Sequence, residues 1–154
     1  MINVPILIFH QLKGSESKIS CYKNPSFAYF NIFKEIYGLN TIICDKRYIR
    51  NDENKNVIEK FQFFDFSYTT TSEMIDNIKV LYSKLMNEKI CVIVNSALGV
   101  GKSSTIMYCL LRMNGETKEA AREIFLKMRD EKKNGIGDYR IEYTERHIIP
   151  LLLN

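Results

Sequence analysis

The sequence predicts one α/β domain spanning residues 1–154, with a central, mostly parallel sheet of about five strands flanked by helices. Three observations carry that expectation. Short apolar, β-rich runs alternate with segments whose apolar residues recur at helical spacing. One of those runs, Ile90–Val94, is nearly all apolar, as a strand buried on both faces of a sheet must be. It feeds a small-residue loop, Asn95–Lys102, and then a helical pattern at Ser103–Met113. The chain has 154 residues, 45% hydrophobic and 26% charged, which is enough apolar material for one real core.

Taken in chain order, Val4–Phe9 and Lys18–Tyr22 read as strands separated by the polar turn Lys13–Ser17. Asn24-Pro25-Ser26 opens a helix on which Phe27, Phe30, Phe33 and Ile36 share a face, and Gly38 stops it. Asn40–Cys44 is a short apolar strand, Arg47–Asn56 a polar loop, and Val57–Phe64 a further strand. Thr71-Ser72-Glu73 starts the next helix, with Ile75, Ile78, Leu81, Tyr82 and Leu85 as its buried stripe. After Ser103–Met113, Gly115 ends that helix, Thr117–Lys132 forms another, and Tyr139–Leu152 forms the last.

Composition narrows the function classes. No apolar run approaches the roughly 18–20 residues that span a bilayer, and no basic segment precedes a long apolar stretch at the N-terminus. The segment Ile148–Asn154 offers no prenylation cysteine. The expectation is a cytoplasmic protein with no membrane anchor. Cys21, Cys44, Cys91 and Cys109 lack metal-ligand spacing and read as thiols in a reducing compartment, so no metal or other cofactor is expected. The net charge of +4 permits anionic partners. The densest charge run, Arg129–Lys133, is mixed in sign and reads as a solvated helix end, so nucleic acid is not indicated.

The loop between strand and helix is where chemistry is expected. Backbone N–H groups converging there, with the positive end of a helix behind them, bind phosphate without any particular side chain. Two patterns fit. A nucleotide-binding loop, Gly-x4-Gly-Lys-Ser/Thr, matches at Gly101-Lys102-Ser103, but Ser96 stands where its first glycine belongs. No apolar strand ending in a magnesium-binding aspartate follows.

The second pattern is the protein-tyrosine/dual-specificity phosphatase loop, His-Cys-x5-Arg-Ser/Thr. In the same frame this chain reads Asn95-Ser96-Ala97-Leu98-Gly99-Val100-Gly101-Lys102-Ser103. Phe63-Phe64-Asp65-Phe66 upstream resembles the Trp-Pro-Asp-Phe loop that supplies the family's general acid. Asn24-Pro25, the helix ending Glu35-Ile36-Tyr37-Gly38, and Asn40-Thr41-Ile42-Ile43 resemble the N-terminal segment of the phosphatases of regenerating liver. The chain is thus similar to the cysteine-dependent phosphatases from roughly Ser17 to Ile149. The resemblance implies a cysteine-phosphatase-like fold with an anion-binding loop at Ser96, Ala97, Leu98, Gly99, Val100, Gly101, Lys102 and Ser103.

The resemblance also implies what has changed. In an active member a low-pKa thiolate attacks phosphorus, an arginine grips the equatorial oxygens and an aspartate protonates the leaving oxygen. Here Ser96 stands for the nucleophile, Lys102 for the arginine and Asn95 for the histidine, while Asp65 remains as the acid. An alkoxide is inaccessible near neutral pH without an adjacent base, and lysine lacks the planar fork. The expectation is a pseudophosphatase: a binding or regulatory module for a protein partner, phosphorylated or acidic, with phosphate or sulfate held in the loop. Regenerating-liver phosphatases dock on magnesium transporters through their active-site face, which gives such docking a precedent. Three alternatives stand beside it: a weakly active phosphoester phosphatase acting on protein or an RNA 5′ phosphate, an engineered Cys→Ser variant of an active enzyme, and a nucleotide-binding protein.

Overall fold

The computed structural model describes residues 6–22, 30–44, 62–65, 71–95, 102–129 and 138–153. Five strands appear in chain order: β1 (His10–Gln11), β2 (Lys18–Tyr22), β3 (Thr41–Cys44), β4 (Gln62–Asp65) and β5 (Cys91–Asn95). The helices are α1 (Phe30–Tyr37), α2 (Thr71–Asn87), α3 (Lys102–Met113), α4 (Lys118–Arg129), α5 (Asp138–His147) and α6 (Ile149–Leu152). The sheet order is β1-β2-β5-β3-β4. The central trio β2, β5 and β3 is parallel, β4 joins in parallel, and β1 pairs antiparallel through two residue pairs. Set against the expected sheet of about five strands, the centre is three strands wide, with a two-residue β1 and a four-residue β4 added at its edges.

The strand expected over Val4–Phe9 is a correction. Residues 6–9 form no strand, and β1 begins only at His10. Side chains take the backbone groups that a ladder would have used. Ser20 Oγ donates to the Ile8 carbonyl at 2.6 Å, and the Leu7 N–H donates to the Tyr37 hydroxyl at 3.2 Å. The segment is held beside the sheet without joining it. Residues 24–26, expected to open α1, and 57–61, expected in β4, lie outside the described residues.

Central position explains the apolarity of β5. Val92, Ile93 and Val94 are all fully buried, with β2 on one side and β3 on the other. Helix α2 turns Ile75, Ile78, Leu81 and Leu85 into the same core. Helix α3 is buried all round from Ser104 to Leu111, which its sequence foreshadows by placing polar residues mainly in its first turn. Gly115 ends it in a Schellman turn at φ +92, with the Glu116 N–H on the Leu111 carbonyl at 3.1 Å and the Gly115 N–H on Arg112 at 3.0 Å. Thr117 then caps α4, its hydroxyl accepting the Ala120 N–H at 3.1 Å.

The single terminal helix expected over Tyr139–Leu152 is two helices, α5 and α6, meeting at Ile148. Pro150 sits in the first turn of α6, has no N–H to give α5, and disfavours helical geometry in the residue before it. The apolar stripe continues across the break, which hides it from periodicity. Residues 130–132, expected at the end of α4, lie outside the described residues.

One buried titratable group lies near β1. His10 Nε2 is buried without a hydrogen-bond partner among the described residues. Burial pushes its pKa below 6.5, Glu116 pulls it up, and Lys13, itself 2.8 Å from Glu116, pushes it down. The folded state therefore disfavours the imidazolium, and the unfolded chain takes up the proton first as pH falls. Stability at pH 8 should be lost progressively below about pH 6.5. In thermal melts at pH 8 and 5.5 the wild type should lose more than His10→Gln; equal losses would show that His10 does not contribute.

Candidate functional site

The site is built at the carboxyl edge of the sheet. Strand register sets Tyr22 of β2 opposite Asn95 of β5, Ile43 of β3 opposite Val94, and Cys44 of β3 opposite Asp65 of β4. The last residues of four parallel strands thus form one row: Tyr22, Asn95, Cys44, Asp65. Adjacent strands lie about 4.8 Å apart, so one intervening strand puts the backbones of Asn95 and Asp65 about 10 Å from each other. Ligands of open α/β sheets collect outside this edge.

Asn95 ends β5, and Lys102 and Ser103 open α3. Ser96, Ala97, Leu98, Gly99, Val100 and Gly101, which join them, lie outside the described residues. What the structure does fix is the frame around that connection. It leaves the central strand, and it enters a twelve-residue helix whose next eight residues are buried. The start of a helix carries a partial positive charge, which favours an anion at its mouth.

Sequence reasoning placed Asp65 upstream of the loop but gave no spatial relation between them. Strand order supplies it: Asp65 ends a strand two positions from the loop strand on the same edge. Tyr22 was not singled out in the sequence, where it is only the last residue of the strand Lys18–Tyr22. Cys44 joins the row through pairing with β4, and nothing in its local sequence announces that.

Cys21, Cys91 and Cys109 are buried and unbridged. Burial pushes the Cys91 thiol up to about 11, against a smaller opposing pull from Lys18. It pushes Cys109 up to about 12, with Glu145 adding to the rise. Neither is a thiolate at neutral pH.

Behind the site, α3 is fastened to α5 by Arg112, whose Nε donates to Glu145 Oε1 at 2.9 Å and whose Nη1 donates to the Glu116 carbonyl at 2.7 Å. The Tyr108 hydroxyl, one turn earlier, is buried beside this pair with no partner of hydrogen-bond geometry among the described residues; burial raises its pKa, Glu145 adds to the rise and Arg112 opposes it. These contacts hold the helix that the loop enters; they lie one to three turns from its first residue. Among the described residues no helix is long and apolar enough to cross a membrane.

No family model matches the chain, and no curated protein matches it in sequence. Solved structures do. A kinase-associated phosphatase with serine substituted for its catalytic-site cysteine aligns with a TM-score of 0.63 at 13% identity, over 96% of this chain and 98% of that one. A putative protein tyrosine phosphatase from Leishmania major aligns at 0.60 and 10% identity, over 85% and 88%. The core catalytic domain of the PP-IP phosphatase SIW14 from S. cerevisiae, in complex with citrate, aligns at 0.57 and 12% identity, over 92% and 88%. Identities this low speak for architecture alone, and architecture is what they agree on: the chain has a protein tyrosine/dual-specificity phosphatase-like fold.

Proposed function

We propose that this protein is a phosphatase-fold binding module, a pseudophosphatase, that holds a phosphorylated or acidic protein partner at the loop Asn95–Ser103. The observation that carries the reading is the loop sequence set on this fold: Asn95, Ser96 and Lys102 stand where an active member keeps histidine, cysteine and arginine. Each change removes a different part of phosphoryl transfer. Ser96 removes the thiolate, Asn95 removes a nearby base, and Lys102 leaves a point charge in place of a bidentate clamp. Anion binding survives the same changes, because the backbone N–H groups and the helix end supply it. Gly99 and Gly101 still permit a tight turn, and Lys102 still adds charge.

The similarity of Asn24-Pro25 and Asn40–Ile43 to the regenerating-liver phosphatases makes a protein surface, in the interior of the cell, the natural ligand in this reading. The solved neighbours are phosphatases, which favours this lineage over the nucleotide-binding one.

Two measurements test the proposal. Backbone amides of Ala97–Ser103 should shift on titration with sulfate or phosphate, saturating in the millimolar range of a weak anion site, roughly −4 kcal/mol. Purified protein should release no phosphate from para-nitrophenyl phosphate or phosphotyrosine peptides above a Ser96→Ala control. Turnover that disappears in that control would replace this reading with the weakly active enzyme. Amides that stay still would remove the anion site.

A further inference from the structure

We propose that residues 6–11 form an acid-sensitive flap on the edge of β2, hinged at Leu12 and latched by the neutral side chain of His10. The chain on the two sides of Leu12 is held very unequally. Beyond Leu12 the turn is fixed: Leu12 is 1% exposed inside the core and gives its N–H to the Ser17 carbonyl at 3.0 Å. Asn114 then grips both backbone groups of Lys13, accepting its N–H at 2.8 Å and donating to its carbonyl at 3.1 Å.

Before Leu12 the contacts are few. β1 pairs with β2 through His10–Ile19 and Gln11–Lys18. Residues 6–9 add the Leu7 N–H on the Tyr37 hydroxyl, the Ile8 carbonyl under Ser20 Oγ, and the Phe9 ring against Tyr37 with centroids 5.1 Å apart. Ile6 is 88% exposed and Ile8 44%, and only Leu7 of the six residues is buried. A segment with so little buried apolar surface opens before the fold around it does.

His10 lies where flap meets hinge. Its Nε2 is buried with no hydrogen-bond partner among the described residues. A neutral imidazole tolerates one bare nitrogen. Protonation makes both nitrogens donors, and this one then buries an N–H with no acceptor. Glu116, from the turn after α3, attracts the imidazolium, and Lys13, from the β1–β2 turn, repels it. Those two groups are joined to each other at 2.8 Å, so Glu116 is already engaged. On β2, Lys18 lies 6.0 Å from the centroid of the Phe9 ring, and on α1 Tyr37 spends its hydroxyl on Leu7; neither offers His10 a negative charge. Burial outweighs Glu116 and holds the imidazole below 6.5.

Swinging the flap out returns the ring to water, where it takes the proton. At pH 5.5 an exposed imidazole is about tenfold more protonated than neutral, so the open flap gains up to about tenfold in population over pH 8. Opening bares the edge of β2 and the Ser20 hydroxyl, which is fully buried while the flap is closed.

Native-state hydrogen exchange of the full chain reads flap and hinge separately, through the amides of Leu7 and Leu12. After correction for the pH dependence of exchange chemistry, Leu7 should open more often than Leu12 at both pH 8 and pH 5.5. Its opening constant should rise about five- to tenfold at the lower pH. In His10→Gln, which cannot take the proton, that rise should vanish, with an unchanged circular dichroism spectrum showing that the fold is kept. In the wild type the His10 ring protons, followed by NMR, should titrate below 6.5, a reading that needs no variant. Leu7 and Leu12 opening together would show that the segment moves only with the whole fold, and would overturn the proposal. So would a Leu7 opening constant that is the same at both pH values, a rise that persists in His10→Gln, or a His10 titration at or above 6.5.

Discussion

Replacing Ser96 by cysteine and Lys102 by arginine together should give this protein a phosphatase activity that neither change gives alone. The expected rise over wild type is at least about a hundredfold in kcat/KM on para-nitrophenyl phosphate, the scale on which one well-placed transition-state contact acts. The cysteine supplies the Sγ that attacks phosphorus and expels the ester oxygen. The arginine grips the equatorial oxygens bidentately as charge builds on them. Asp65, which ends a strand two positions from the loop strand on the same sheet edge, would give the leaving oxygen its proton, and water would then release phosphate from the thiol. Nucleophile and clamp act on one transition state, so their effects multiply far beyond the singles. Adding Asn95→His should raise the rate again at pH 6–7 by favouring the thiolate. A double variant no faster than either single would mean that the loop no longer has the shape of a phosphatase loop.

The parts of the molecule legible in the sequence are those fixed by local pattern. Ile90–Val94 reads as a central strand because every side chain is apolar, and it lies between β2 and β3. Thr71 starts α2 and Gly38 follows α1 with φ +76, both signalled by residue type. What the sequence hides is settled by groups distant along the chain. Residues 6–9 have strand propensity, yet their backbone is taken by Ser20 and Tyr37, the latter thirty positions away. Pro150 breaks the last helix while the apolar stripe runs on through it. The row Tyr22, Asn95, Cys44 and Asp65 depends on strand order, which no local pattern encodes. The loop spacing, by contrast, is purely local: it assigns the candidate anion-binding loop to Asn95–Ser103, directly after β5, and ligands of open α/β sheets collect at the carboxyl ends of such strands.

The amino end of that same strand gives the second large effect. Ser17→Ala should destabilise the protein by about 2–4 kcal/mol, lowering its melting temperature by roughly 5–12 °C. Ser17 is fully buried between the β1–β2 turn, the end of α2 and the start of β5. Its Oγ lies 2.7 Å from both the Leu85 and Glu88 carbonyls and accepts the Ile90 N–H at 2.9 Å. Alanine fits the space but leaves the N–H of Ile90, a residue only 5% exposed, without a partner. The Leu85 carbonyl keeps Ser15 Oγ at 2.5 Å, so the loss falls mainly on Ile90 and Glu88. Ser15→Ala, at a half-buried position, removes a bond to the Leu85 carbonyl and one from the Ser17 N–H and should cost about 1 kcal/mol, less than the change at the fully buried Ser17. Urea unfolding measures both, with the slope unchanged if the native and unfolded states keep their compactness. Ser17 sits at the opposite end of β5 from Asn95, so below its transition the variant should bind sulfate as the wild type does. A cost under about 0.5 kcal/mol would mean that another group, or water, satisfies Ile90, and that the turn is held by Asn114 on the Lys13 backbone instead.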